Sequence, residues 1–261
     1  MNGLRLYVRY VSVILRSAMQ YKMSFLLSAL GQFFVSFNVF LGIYFLFGRF
    51  HEVKGYSYSE VLLCFSIVLM EFSVAECFAR GFDSFSGMVR QGEFDRILVR
   101  PRSAVLQVLG SKFELTRIGR LLQAAVMFVY GLGHCRVEWT WLRALTVLFM
   151  VLGGVVLFWG IFMAYAALCF FTLEGLEFMN VLTDGAREHG KYPFDVYGKR
   201  ILQLCTFVVP YALVQYYPLQ YVLGRSQQWQ LALCPLGVAP FFAVCYALWR
   251  FGVRHYQSAG S

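Results

Sequence analysis

Few side chains in this sequence could do chemistry, and most of those are disqualified by their surroundings. Glu71 and Glu76 are the only charges between Val61 and Ala79. An ionisable group held at bilayer depth is costly and marks a functional candidate. Glu76 has Arg80 one turn on, and an i,i+4 pair accounts for it. Glu71 has no such partner, so it faces the protein interior or a cavity; a place on a translocation path and a structural contact with another helix both fit. Gly185 to Tyr192, GAREHGKY, nearly matches the phosphate loop GxxxxGK[ST]. Its last position is Tyr192 instead of a magnesium-binding hydroxyl, no strand precedes it, and Pro193 follows at once, so it is rejected as a nucleotide site. The histidines at 51, 134, 189 and 255 fall in separate loops or ends with no HExxH, which leaves a metalloenzyme unsupported.

The elements that position these residues are membrane helices. The chain has 261 residues, 59% of them hydrophobic and 14% charged, whereas a soluble domain carries about 25% charged residues. Several uncharged runs exceed the ~18 residues that a bilayer-crossing helix needs. The fold class expected is therefore an all-α polytopic membrane protein, with no room for a separate soluble domain. Seven cysteines without CxxC spacing read as small core residues. The basic, then apolar, start lacks a small-residue cleavage site after its first apolar run, so it is expected to stay in the mature chain.

In order, residues 1–22 place Arg5, Arg9, Ser12 and Arg16 at helical spacing opposite an apolar face, which predicts an amphipathic helix lying in the membrane surface. A simple extension of the first span is the alternative. Six spans are predicted at 23–47, 60–79, 121–135, 144–173, 199–217 and 234–253. Span 3 is short and is expected to rely on snorkelling of Arg120 and Arg136. Gly153, Gly154 and Gly160 in span 4 would admit a neighbouring helix closely. Residues 80–120 and 174–198 form two polar segments on one side, Glu174 and Glu177 serving as headgroup-level charges. Pro210 and Pro218 forbid a straight helix through 201–224. Either re-entrant helices follow, around 218–233, or the span is merely kinked. With both ends in the cytosol, 18 of the 23 basic residues lie inside, satisfying the positive-inside rule without invoking nucleic acid.

The polar island at 81–103 carries Arg90, Arg96, Arg100 and Arg102 among Asp83, Glu93 and Asp95. It is punctuated by Phe82, Phe85, Met88, Val89, Phe94, Ile97, Leu98 and Val99. A solvated loop does not need these, whereas a short helix docking into a partner groove does.

GEFDRILVRPRS (92–103), VVPYALVQYYPLQYVLG (208–224) and RHYQSAGS (254–261) resemble a subfamily of bacterial ABC-2 type transporter permeases, and the order of elements matches over essentially the whole chain. The resemblance implies the transmembrane half of an exporter in the inner membrane, with both termini cytosolic. It pairs with a second permease, related or identical, and with two cytosolic ATPase subunits that hold the ATP and magnesium. The chain itself would be a transport subunit, not an enzyme, and would bind no cofactor. Carried onto this sequence, the surface helix (Arg5, Arg9, Arg16) and the segment Gly92, Glu93, Phe94, Asp95, Arg96, Leu98, Arg100 and Pro101 form the ATPase dock. Tyr192 to Arg200 would be a lesser contact. Glu71, Pro210, Tyr211, Tyr216, Tyr217, Pro218 and Tyr221 are the candidates for the pathway and outer gate. The competing classes are a secondary transporter or channel without an ATPase, and a non-transporting membrane scaffold. The apolar, aromatic spans admit lipids, peptides or drugs alike.

Overall fold

A computed structural model describes residues 3–135, 137–172 and 178–257. Arg136, Glu174, Glu177 and the last four residues of the 254–261 motif lie outside the described residues. Helix α1 (Gly3–Ala18) leads through a 3-10 turn to α2 (Lys22–Arg49); the backbone leaves the helical region at Tyr21 (φ −112°, ψ 60°), so α1 and α2 are not one straight rod. Then come α3 (Tyr58–Asp83), the short helices α4 (Phe85–Arg90), α5 (Glu93–Val99) and α6 (Ala104–Leu109), α7 (Ile118–His134) and α8 (Trp141–Thr172). The last third holds α9 (Phe178–His189), α10 (Lys199–Phe207), α11 (Tyr211–Val214), α12 (Tyr216–Val222) and α13 (Val238–His255).

Four of the described helical stretches are long and apolar enough to cross a membrane: Arg5–Arg49, Tyr58–Arg90, Trp141–Thr172 and Trp229–His255. Helix α3 is the centre, packed against α7 and α8 and buried over most of its length. It starts with a capping box: the Ser57 amide donates to Glu60 Oε2 (2.8 Å) and the Glu60 amide to Ser57 Oγ (3.4 Å). Glycines let the helices meet closely. A Cβ on Gly119 would lie 1.8 Å from the Ala29 carbonyl oxygen, so α7 touches α2 backbone to backbone. Gly153, Gly154 and Gly160 meet Pro235, Glu71 and Phe241 respectively, the role their spacing suggested.

The ends of the bundle are defined by contacts. At one end α2, α3 and α7 meet through Phe47–Tyr58 and Tyr58–Tyr130. At the other, called here the basic end, α4–α6 pack against the last turns of α3, α8 and α13. Two departures from the sequence reading follow from the contacts of 178–222. Arg187 of α9 lies over the Phe72 ring, Gly190 beside Val68 and Cys64, and the Tyr56 hydroxyl donates to Asp195 (3.1 Å). These partners climb α3 from its middle past its first turn, so residues 187–197 run up the bundle and do not stay with the first polar segment. The charges that suggested a solvated loop neutralise one another: Arg187 pairs with Asp184 (3.3 Å) and Glu188 (3.1 Å), and Lys191 with Glu188. The predicted span 199–217 is also broken into short helices, at the prolines that forbade a straight one. Helix α10 stops at Phe207, Pro210 (φ −76°, ψ 49°) caps α11, and Thr206 Oγ1 meets Tyr217 Oη at 3.2 Å, which folds α10 against α12 as a hairpin.

Candidate functional site

At the basic end, α4, α5 and α6 make a compact triangle held by aromatic rings. Phe94 of α5 is fully buried, its ring centroid 5.1 Å from Phe85, 5.2 Å from Phe170 and 5.1 Å from Tyr256, with Trp249 at 6.1 Å. The pairs with Phe170, Trp249 and Tyr256, each contributing about 0.5–1.5 kcal/mol beyond area burial, fasten α5 to the ends of α8 and α13, and the Phe85 pair ties it to α4. The chain can turn into so short a helix because Gly92 takes φ +66°, a left-handed conformation cheap only for glycine. The buried Gln107 side chain closes the exit from α5, donating to the carbonyls of Ile97 (3.1 Å) and Arg102 (3.2 Å). Gly81 of α3 admits α6: a Cβ there would fall 1.9 Å from the Val108 oxygen.

This packing corrects the docking set. Phe82, Phe85, Val89, Phe94 and Ile97, expected to face a partner, are core residues of this chain. Phe94 in particular is an anchor, not a contact. Glu93, Arg96, Leu98, Val99, Arg100 and Pro101 form the exposed edge, and Asp95 is half-buried. Helix α1 lies beside the triangle: the Tyr7 ring packs on Phe113 (5.3 Å) and Tyr10 covers Gly110, while Arg5, Arg9 and Arg16 are exposed.

Above the triangle, Glu76 is the centre of an arginine cluster. Its Oε1 accepts from Arg80 and Arg117 at 3.2 Å each, and its Oε2 accepts from Arg120, whose other arm donates to Gln32 (2.9 Å). Arg120 is 4% exposed; it does not snorkel, but ties α7 to α3 and α2. The sequence suggested only the Arg80 pair. The other two arginines come from the far side of the island, and no local spacing announces them. Glu71 behaves differently. It is buried against Gly154 of α8 and its Oε1 has no hydrogen-bond partner. It faces the interior, as its sequence position implied.

At the opposite end, Tyr56 is a hub that sequence reasoning missed. Its hydroxyl donates to Asp195 and accepts from Gln220 Nε2 (2.5 Å), and Arg225 stacks on its ring at 3.9 Å. Arg225 also donates to the Gly55 carbonyl (2.6 Å) and to Glu60 (2.9 Å). Burial pushes the Tyr56 hydroxyl well above the ordinary tyrosine range, so it stays protonated as a donor. Gln215 adds donation to the carbonyls of Gly190 (2.8 Å) and Tyr192 (3.1 Å). The candidate gate residues gather here and just below. Pro210, Tyr211 and Pro218 are buried, the Tyr211 hydroxyl donates to the Leu182 carbonyl, Tyr216 and Tyr217 pack edge to face at 5.2 Å, and Tyr221 is half-buried. Glu71 is not part of this network. A polar cavity of about 440 Å³ opens beside the Tyr56 hub, lined by Glu52, Ser57, Ser59, Glu60, His134 and Arg225. The phosphate-loop lookalike ends α9 instead of forming a loop: residues 185–189 are helical, and Lys191 is engaged by Glu188.

Residues 33–260 match the model of the family described as ABC-2 family transporter protein. No curated protein and no solved structure matches the chain. The matched stretch takes in α3 to α13 and most of α2, and with it the triangle, the Glu76 cluster and the Tyr56 hub. The chain belongs to the ABC-2 transporter family and is a transmembrane transport protein, a permease of an ABC transporter.

Proposed function

We propose that this permease couples a separate ATPase to export, with the exposed edge of α5 as the contact. The observation that carries the reading is the contrast within one seven-residue helix. Phe94 and Ile97 root it in the aromatic core, while Arg96, Leu98 and, just past its end, Arg100 stand out from the surface. A rigidly rooted helix with an exposed charged and apolar edge transmits a push; a loose loop absorbs it. Fourteen basic residues (Arg5, Arg9, Arg16 and Lys22, the eight within 80–120, and Arg250 and Arg254) gather at this end, supporting its assignment to the cytosol of a bacterial inner-membrane protein. The helix α1 is read as the interfacial element beside the dock.

At the opposite end, the hairpin α10–α12 is read as re-entrant and as the outer gate, with the climb of 178–197 completing the fifth crossing. Gln215 and Gln220 tie that hairpin to its neighbours, as broken backbone at that depth needs to be buried in protein. The functional unit is two permeases, this chain with a related one or a second copy, and two ATPase subunits carrying ATP and magnesium. The α5 edge is tested by Arg96→Glu with Arg100→Glu. Membrane insertion should be unchanged, and the ATPase that co-purifies from native membranes should be lost. Retention of a stoichiometric, transport-coupled ATPase by this variant would refute the dock.

A further inference from the structure

A second groove opens at the basic end, between α6 and α13, with a volume of about 220 Å³. Its two walls differ in character. Arg250 and Arg254 stand one turn apart on the last turns of α13, both exposed and without an ion-pair partner among the described residues. Facing them is Ser103, the exposed residue that starts α6. Tyr246 and Val253 give the groove an apolar side, and Trp249 lies among its lining residues. Along α13 the apolar surface continues from Arg250 toward the other end of the helix through Tyr246 (41% exposed), Ala243 and Ala239.

We infer that this groove binds the headgroup of an anionic phospholipid, its phosphate held by Arg250 and Arg254 and its acyl chains laid along the exposed face of α13. The charge fits, because two guanidiniums one turn apart offer paired N–H donors to phosphate oxygens. The placement fits as well: basic pockets between helices at the membrane surface take phosphate headgroups, and the apolar strip leads directly from the cations into the hydrocarbon region. A helix C-terminus alone favours cations there, but it supplies neither the cavity nor the strip. Occupancy would reach the coupling triangle, since Trp249 also packs on Phe85 (5.1 Å) and on Phe94. This inference does not depend on ATPase coupling.

The test is native mass spectrometry of the purified full chain, titrated with phosphatidylglycerol, phosphatidylcholine or inorganic phosphate. Phosphatidylglycerol should be retained in preference to phosphatidylcholine. Arg250→Ala with Arg254→Ala should weaken that binding about 30-fold at low salt. Arg49→Ala at the opposite end should leave it unchanged. If the alanine pair fails to fold, Ser103→Asp serves in its place. It puts a favoured residue at the start of α6 and a negative charge in the groove, and should also weaken binding. Equal retention of the two lipids, or undiminished phosphatidylglycerol binding by the folded variants, would overturn the inference. So would inorganic phosphate displacing the lipid at equal concentration, which would make this a free-anion site. A dimer that dissociates on the same substitutions would make it an interface between copies, and would overturn it too.

Discussion

Replacing Glu76 by glutamine should be among the most destabilising single changes in this protein, although it preserves side-chain shape. The carboxylate is 5% exposed at its side chain and receives three guanidiniums, from Arg80, Arg117 and Arg120. Removing its charge leaves Arg120, equally buried, with only the neutral Gln32 oxygen at 2.9 Å. Breaking a buried pair from one side costs about 3–5 kcal/mol, because the stranded charge stays desolvated. At about 2–4 °C per kcal/mol for a chain of this size, the melting temperature should fall by roughly 6–20 °C. The assay is thermal unfolding of the purified chain in detergent, followed by far-UV circular dichroism, for Glu76→Gln, Arg120→Gln and the double variant. The double variant should be more stable than the sum of the single costs predicts, since removing both charges leaves none stranded. A Glu76→Gln protein melting within about 2 °C of the parent, less than 1 kcal/mol for this size, would refute the cluster as a structural keystone. Strict additivity of the two single costs would do the same.

Other substitutions probe the remaining contacts. Phe94→Ala should cost about 3–5 kcal/mol locally and release α5. Tryptic cleavage at Arg96 should speed up while the melting of the bundle changes little, and unchanged cleavage would contradict the anchor. Gly119→Ala drives a Cβ to 1.8 Å from the Ala29 oxygen and should splay α2 from α7, whereas Gly31→Ala, with no atom within 4 Å, should be neutral in the same melting assay. Tyr56→Phe removes two hydrogen bonds, each contributing about 0.5–1.5 kcal/mol. The folded-state pKa of Tyr56 is raised above its ordinary value of 10, so the hydroxyl's contribution is full below pH 10 and is lost only as pH rises beyond it. The melting difference between parent and Tyr56→Phe should accordingly hold constant from neutral pH to about pH 10 and narrow above; narrowing between pH 7 and 9 would refute the assignment.

The amino-acid sequence by itself determined the all-helical, membrane-embedded class, because uncharged runs such as Ala144–Phe171 have no other stable home. It also located the island after α3 and the breaks at Pro210 and Pro218, since glycine and proline act through local backbone geometry. Only the tertiary structure decided which side of the island's helix faces out. A phenylalanine at 94 looks the same in sequence whether it enters a partner's groove or its own chain's core, and the rings of Phe170, Trp249 and Tyr256, far away in sequence, chose the core. The same holds for 178–197, where hydropathy counts the charges of Asp184, Arg187, Glu188 and Lys191 singly. Paired side by side along α9 and the turn that follows it, they let the segment climb the bundle. Glu76 and Glu71, five residues apart in one apolar run, differed in sequence only by the Arg80 partner of Glu76, until distant residues reached one of them. Arg117 and Arg120 came to Glu76 from about 40 residues away, while Glu71 packs against Gly154 with its Oε1 unpartnered among the described residues. Local spacing fixes helices and turns, but which buried charge is neutralised depends on long-range packing.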